Sequence, residues 1–376
     1  MTAGGTLFAF EKEGSQPGSG ARVGEVTTGH GTFQTPAFMP VGTVGSVKGI
    51  FPWSIEETGS RILLANTYHL YLRPGCEVVK ASGGLHRMMG WPHSILTDSG
   101  GYQVFSLSSL KKINEEGVTF QSHVDGSRHF LTPEKAVEIQ EVLGSDIMMV
   151  LDECPRPDAD AQYAEASMQM TTRWARRCLD ARRSHNALFG IVQGGMHAAL
   201  RVRHARELSA LPFDGLAIGG LSVGESKELM QEMLAASVGE LPLDKPRYFM
   251  GVGRPSDILF AVSLGVDMFD CVLPTRSGRT GLLFTSRGEI TIKNARYRLD
   301  QSPPDPECSC PTCRHFTRAY LRHLFVAGEM LGPILNTLHN LHFYQRLMSD
   351  IRESIRRGDY ATWWKRKAEE VDGKTC

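Results

Sequence analysis

Eight short apolar segments recur along this chain, most of them running into glycine or a polar residue. They are TPAFMPVG (35–42), RILLANTYHL (61–70), SILTDSGG (94–101), SDIMMVLDE (145–153), ALFGIVQGG (187–195), GLAIGG (215–220), RYFMGVG (247–253) and GVDMFDCV (265–272). Near-continuous apolar strands are buried on both faces, which is the property of a parallel sheet. Most of the gaps carry amphipathic helical patterns, such as TPEKAVEIQEVL, DAQYAEASMQMTTRWARRCLDARRS and HAALRVRHARELSAL. Eight strand–helix units predict a closed (β/α)8 barrel, with a doubly wound open sheet as the structural alternative.

Two regions depart from that pattern. GVTFQSHVDGSRHFLT alternates and turns at Asp125-Gly126, which predicts a β-hairpin between the third and fourth units. TLFAFEKEG and ARVGEVTTGHGTF predict paired antiparallel strands that cap one end of the barrel. Beyond residue 281 the pattern becomes a strand pair, a turn-rich loop and three helical stretches. The expected division is an N-terminal cap over 1–34, a catalytic barrel over 35–281, a metal-binding subdomain over 282–345 and a C-terminal helical segment over 346–376 that packs on the barrel.

The turn-rich loop holds Cys308, Cys310 and Cys313 in a C-x-C-x2-C cluster, while the other five of the eight cysteines are scattered. Clustered thiols in a chain with no disulfide framework point to a reduced compartment and a metal. Three thiolates and one imidazole complete a tetrahedral zinc set with no open position, so the expected Zn2+ is structural. His315, His323, His339 and His342 all stand near enough in sequence to supply the fourth ligand. The N-terminal stretch has acids where a targeting peptide has bases, and no apolar run nears the roughly 18 residues of a membrane span, so a cytoplasmic protein is expected. Net charge is zero, yet residues 272–376 hold 17 Lys and Arg against 11 Asp and Glu, leaving that part at +6 and the remainder at −6. Such asymmetry permits a polyanionic partner.

On a barrel, polar residues at the C-terminal ends of strands converge on one mouth. Asp98, Asp152, Gln193 and Asp270 hold such positions, and a loop carrying Arg276 and Arg279 follows Asp270 directly. Two carboxylates facing a ligand suit attack at an anomeric carbon, one as nucleophile and one as proton shuttle. A carboxylate, Gln193 and the Gly220 N–H suit the edge of guanine, whose N1–H and amine donate and whose carbonyl accepts. Tyr102 and Met250 can close over the two faces of such a base.

TDSGGYQVFSLSSL, EEGVTFQSHVDGSRHFLTPE, FGIVQGG, IGGLSVGE, YFMGVGRP, DMFDCVLPTRSGRTG and the C-x-C-x2-C…H site together resemble bacterial tRNA-guanine transglycosylase, in family order from about Thr35 to the metal helix. The resemblance implies an α/β fold, an irregular (β/α)8 TIM barrel with a C-terminal zinc-binding subdomain. It assigns Asp270 as the covalent nucleophile on ribose C1′ and Asp98 as general acid/base. It also puts Asp152, Gln193, Gly220 and Leu221 on the base edge, Tyr102 and Met250 on its faces, Lys48, Arg276 and Arg279 on the anticodon loop, and Cys308, Cys310, Cys313 and His339 on zinc. The implied reaction replaces guanine at the wobble position of tRNAs with GUN anticodons (Asp, Asn, His, Tyr) by 7-aminomethyl-7-deazaguanine (preQ1), in queuosine biosynthesis. Val223 in GLSVGE fits the bacterial pattern and the smaller precursor base. A homodimer is expected; Phe316 replaces the family's Trp at its contact, Tyr320 is retained, and Thr280 stands where Asn is common. A catalytically silent tRNA-binding subunit would lack the Asp98 and Asp270 pair, and a hydrolase of free nucleosides would have no use for the zinc arm.

Overall fold

A computed structural model describes residues 7–16, 18–107 and 111–373. Cys376 and the last three residues of the TDSGGYQVFSLSSL stretch lie outside them. Three antiparallel strands open the fold, β1 (Ala9–Ser15), β2 (Arg22–Thr28) and β3 (Gly31–Thr35). The parallel strands β4 (Ala37–Met39), β5 (Val41–Gly42), β6 (Ile62–Ala65) and β7 (Ser94–Thr97) follow. Next come a three-stranded antiparallel insert, β8 (Lys111–Asn114), β9 (Gly117–Gln121) and β10 (Arg128–Leu131), and the strands β11 (Ile147–Met149), β12 (Ala187–Val192), β13 (Gly215–Ile218), β14 (Arg247–Phe249) and β15 (Met268–Asp270).

The large sheet runs β4-β15-β14-β13-β12-β11-β7-β6-β5, with every pairing parallel. Only Pro40 separates β4 from β5, so these two are halves of one stave and the sheet closes on itself with eight staves. Proline lacks the N–H a ladder needs and splits the strand, while its carbonyl still accepts from Leu64 N–H at 3.0 Å. Sequence-adjacent units are neighbours all the way round, which excludes the open doubly wound sheet.

The N-terminal sheet closes the end where the strands begin. Arg22 forms a two-pronged ion pair with Asp267 ahead of β15, Nε to Oδ1 at 2.9 Å and Nη2 to Oδ2 at 2.6 Å, both residues being buried. Thr28 meets Ser94 at the start of β7, and Phe8 lies edge-on against Phe189 of β12 at 5.8 Å. Phe189 also explains Gly215 beside it, since a Cβ there would stand 2.4 Å from the ring.

Beyond the barrel, the hairpin β16 (Leu282–Thr285) and β17 (Gly288–Thr291) packs its Leu283, Ile290 and Ile292 with Leu321, Leu324 and Leu335 into a small second core. The helix Leu331–Arg357 runs unbroken through residues 345 and 346, so the metal-binding part and the C-terminal segment share one rod. Its far end reaches the closed floor. Gln345 donates to Phe38 O at 3.0 Å, Arg352 donates to Pro36 O at 2.7 Å, and Arg356 pairs with Glu13 at 2.9 Å. Gln16 bonds both Gly358 O and the Ala361 N–H, tying residues more than 340 positions apart.

Three local readings change. The hairpin expected over 117–132 has a third strand, β8, on its other edge, and six residues rather than a two-residue turn join β9 to β10. RILLANTYHL is a strand only to Ala65, after which Thr67–Leu72 is helical. The loop expected to carry Arg276 and Arg279 is the helix Leu273–Thr280, with Pro274 in its first turn and Gly281 left-handed at its end, φ 85°. Gly278 lets this helix lie against Leu331–Arg357, because a Cβ there would sit 2.7 Å from the backbone of Thr337.

Candidate active site

At the open mouth of the barrel lies a cavity of about 810 Å³ lined by Asp98, Tyr102, Asp152, Gln193, Gly220, Leu221, Met250, Asp270 and Arg276. Asp98 follows β7, Gln193 follows β12, Gly220 lies two residues past β13, Met250 follows β14, and Asp270 is the last residue of β15. Parallel strands end at one rim, so six separate stretches of sequence deliver these groups to one place. Lys48, Arg279 and the cysteine cluster do not line the cavity. Lys48 is exposed, close enough to the cavity-lining His69 to help hold that imidazole below its usual value, after burial and His123.

Asp98 is nearly buried and fully engaged. Its Oδ1 accepts the Thr67 N–H at 2.8 Å, and its Oδ2 accepts Asn66 Nδ2 at 2.6 Å and Gln103 Nε2 at 2.8 Å. Burial pushes it up to about 6 against the pull of those three donors, and the Asp270 charge adds to the rise. Asp152 has a single side-chain donor, Gln193 Nε2 at 2.7 Å, and burial likewise raises it to about 6, with Asp98 and Glu153 adding to the effect. Asp270 is also raised by burial, against Tyr248 Oη at 2.5 Å and Gly251 N–H at 2.8 Å, both of which donate to Oδ1. Three carboxylates raised by burial thus line one cavity, two of them near 6.

Gln193 is fixed from two sides. Its backbone N–H donates to His204 Nδ1 at 2.8 Å, and burial drives His204 down to about 3, so that imidazole is neutral and accepts there. Its Oε1 has no partner among the described residues, marking a polar atom left for a ligand. Gly220, at φ 68°, holds a backbone conformation that favours glycine, and a Cβ there would stand 2.3 Å from that Oε1 and push it aside. In the next loop Glu225 accepts from the Ser222 and Val223 N–H groups, holding Val223 at the cavity wall.

Sequence reasoning did not single out Tyr248, Asn66, Thr67, Gln103, Arg201 or His204. Asn66 offered a signal, being the polar residue that ends an apolar run as Asp98 and Gln193 do. Arg201 and His204 offered none, because on the helix Ala198–Ser209 they read as ordinary polar positions, yet both are fully buried.

Cys308, Cys310, Cys313 and His339 bring their donor atoms within 4.8 Å of one another and could hold a metal ion. Cys310 Sγ and Cys313 Sγ stand 3.5 and 3.3 Å from His339 Nδ1. His339 Nε2 donates to Phe284 O at 2.7 Å, which leaves Nδ1 bare and aimed at the thiols. His342 approaches Cys308 Sγ at 3.6 Å from the rim, whereas His315 and His323 stand outside the cluster. Among the described residues no helix is long and apolar enough to cross a membrane.

Residues 16–372 match the family Queuine tRNA-ribosyltransferase. The queuine tRNA-ribosyltransferase of Nitrosomonas eutropha is 60% identical over 341 residues, 90% of this chain and 94% of its own length. That of Solidesulfovibrio magneticus is 56% identical over 369 residues, 96% of this chain and 97% of its own, and that of Acetivibrio thermocellus is 57% identical over 339 residues, 90% and 91% of the two chains. With both the fold and the extent of the match in agreement, the chain belongs to the queuine tRNA-ribosyltransferase family and is a pentosyltransferase that modifies tRNA.

Proposed function

We propose that the enzyme exchanges guanine at the wobble position of GUN-anticodon tRNAs for preQ1 through a ribosyl ester on Asp270. The observation that carries this reading is the meeting of Asp98, Asp152 and Asp270 in one cavity, each from a different strand end. Asp270 attacks ribose C1′, the C1′–O bond forms as the C1′–N9 bond breaks, and guanine leaves with a proton from Asp98. The incoming base gives its N9 proton back to Asp98 as it displaces the ester. A value near 6 suits a group that must donate and then accept near neutral pH. Asp152 accepts from N1–H and the exocyclic amine, Gln193, through the Nε2 hydrogen not given to Asp152, and the Gly220 N–H donate to the carbonyl, and a Leu221 backbone group also contacts the base. Tyr102 and Met250 cover its faces.

Arg276 at the cavity wall, with Arg279 and Lys48 beyond it, holds the anticodon phosphates. Cys308, Cys310, Cys313 and His339 bind one zinc ion, whose role is to pin the loop to the helix Leu331–Arg357. A thiolate-rich set of four with a hydrogen-bonded imidazole supports that choice of metal. The chain works in the cytoplasm as a homodimer, through a face that includes Phe316 and Tyr320, whose rings stack at 5.4 Å.

Radiolabelled guanine with a GUN-anticodon tRNA tests the reading. The native chain should incorporate label that preQ1 then displaces, and Asp270→Ala should incorporate none. Incorporation by the Asp270→Ala chain would remove the covalent step, and none by the native chain would remove the exchange.

A further inference from the structure

Behind the base pocket sits a buried cation with no carboxylate in contact with it. Arg201 is 0% exposed, does not line the cavity, and makes no contact ion pair with any described carboxylate, Glu225 being the charge that acts on it from farther off. Its guanidinium is spent on backbone carbonyls of two loops. Nε donates to Gly195 O at 2.7 Å, Nη1 and Nη2 both donate to Gly219 O at 3.1 Å, and Nη2 donates to Gly220 O at 3.2 Å. An unpaired buried charge is costly, and a fold that only needed these loops joined could do so with neutral donors.

A trans peptide is planar, so its N–H points opposite to its C=O. Fixing the Gly219 carbonyl on Arg201 therefore turns the Gly220 N–H away from it, and fixing the Gly220 carbonyl does the same for the Leu221 N–H. Both residues line the cavity, and neither N–H has a partner among the described residues. Leu221 is buried and Gly220 half-buried, and backbone N–H groups so placed without partners are rare. A cation on the carbonyl side also polarises each peptide and strengthens the donor on the other.

We propose that Arg201 is a positioning residue that sets the Gly219–Gly220–Leu221 peptides as a paired N–H donor for a carbonyl oxygen on the base, and so selects 6-oxopurines. The inference rests on the transglycosylase reading above. It concerns which atom of the base is tested, and by what.

The test uses the native chain, Arg201→Met and Arg201→Lys, with guanine incorporation into tRNA and with 2-aminopurine as a competitive inhibitor that has the ring and amine but no carbonyl. In Arg201→Met the KM for guanine should rise about tenfold or more, the equivalent of one lost directed hydrogen bond. The KM for tRNA and the inhibition constant of 2-aminopurine should stay within about twofold of native, well under one hydrogen bond. Arg201→Lys, which keeps the charge, should recover part of the guanine effect and serves alone if the Met variant does not fold. Equal weakening of guanine and 2-aminopurine would show a merely collapsed pocket and overturn the proposal, as would an unchanged guanine KM. A native chain that incorporates no guanine would instead sink the transglycosylase reading itself.

Discussion

Replacing Asp152 with Asn should make the protein more stable at neutral pH, in a way that vanishes in acid. The carboxyl sits in the cavity wall with one donor, Gln193 Nε2, and burial holds it near 6 instead of 3.8. A difference of about two units at 1.36 kcal/mol each means that ionised Asp152 costs the fold about 3 kcal/mol. The folded state binds the proton more tightly than the unfolded chain. The cost is therefore full above about 6, shrinks as pH falls through the interval between 6 and 3.8, and is gone below it. Asn keeps an oxygen to accept from Gln193 and carries no charge to bury. With an unfolding entropy of about 2.1 cal/mol/K per residue, 3 kcal/mol over this 376-residue chain is about 4 °C in melting temperature. Thermal melts of native and Asp152→Asn chains, without base, at pH 8, 6 and 4 measure it. The variant should melt about 4 °C higher at pH 8 and within about 1 °C of the native chain at pH 4, while its use of guanine falls. Equal melting at pH 8, or a gap that does not close in acid, would refute the claim that this carboxylate is held against its solvation.

Two further outcomes follow from the geometry. Gly278→Ala places a Cβ 2.7 Å from the Thr337 backbone and should destabilise by about 1–3 kcal/mol; because the same short helix carries Arg276 and Arg279, the KM for tRNA should rise while that for guanine holds, and an unchanged tRNA KM would separate the helix contact from tRNA binding. His339→Ala removes the only fully buried imidazole of the Cys3His cluster, so bound metal per chain measured by mass spectrometry should fall well below one; full metal occupancy would hand the fourth position to His342.

The barrel was legible because each stave is a short run of Val, Ile, Leu, Met and Phe that must be buried on both faces, and its terminal polar residue then marks the mouth. Asp98, Gln193 and Asp270 were visible for that reason. β8 was not, because Lys111, Lys112 and Asn114 make an edge strand with one apolar residue, and edge strands are kept charged. The helix Leu273–Thr280 was hidden by Pro274, Ser277 and Gly278, residues that read as a loop until the close contact with Thr337 gives the glycine its reason. Arg201 lay beyond sequence reasoning altogether, since its partners are carbonyls, which every residue has. Only the approach of the loops after β12 and β13 to one helix selects three of them.

The contacts of Gln16 with Gly358 and Ala361 put one limit on when the fold can be completed during synthesis. During synthesis, the sheet that floors the barrel emerges first but finds its last partners only when residue 361 has left the ribosome. Long-range closures of this kind are slow, because the entropy of joining distant segments is spent before any contact rewards it. Phe8 can meet Phe189, and Arg22 can meet Asp267, well before that, so what waits for the end of translation is the clamp between the floor and the C-terminal helices, and the edge around Gln16 stays open to chaperones until then.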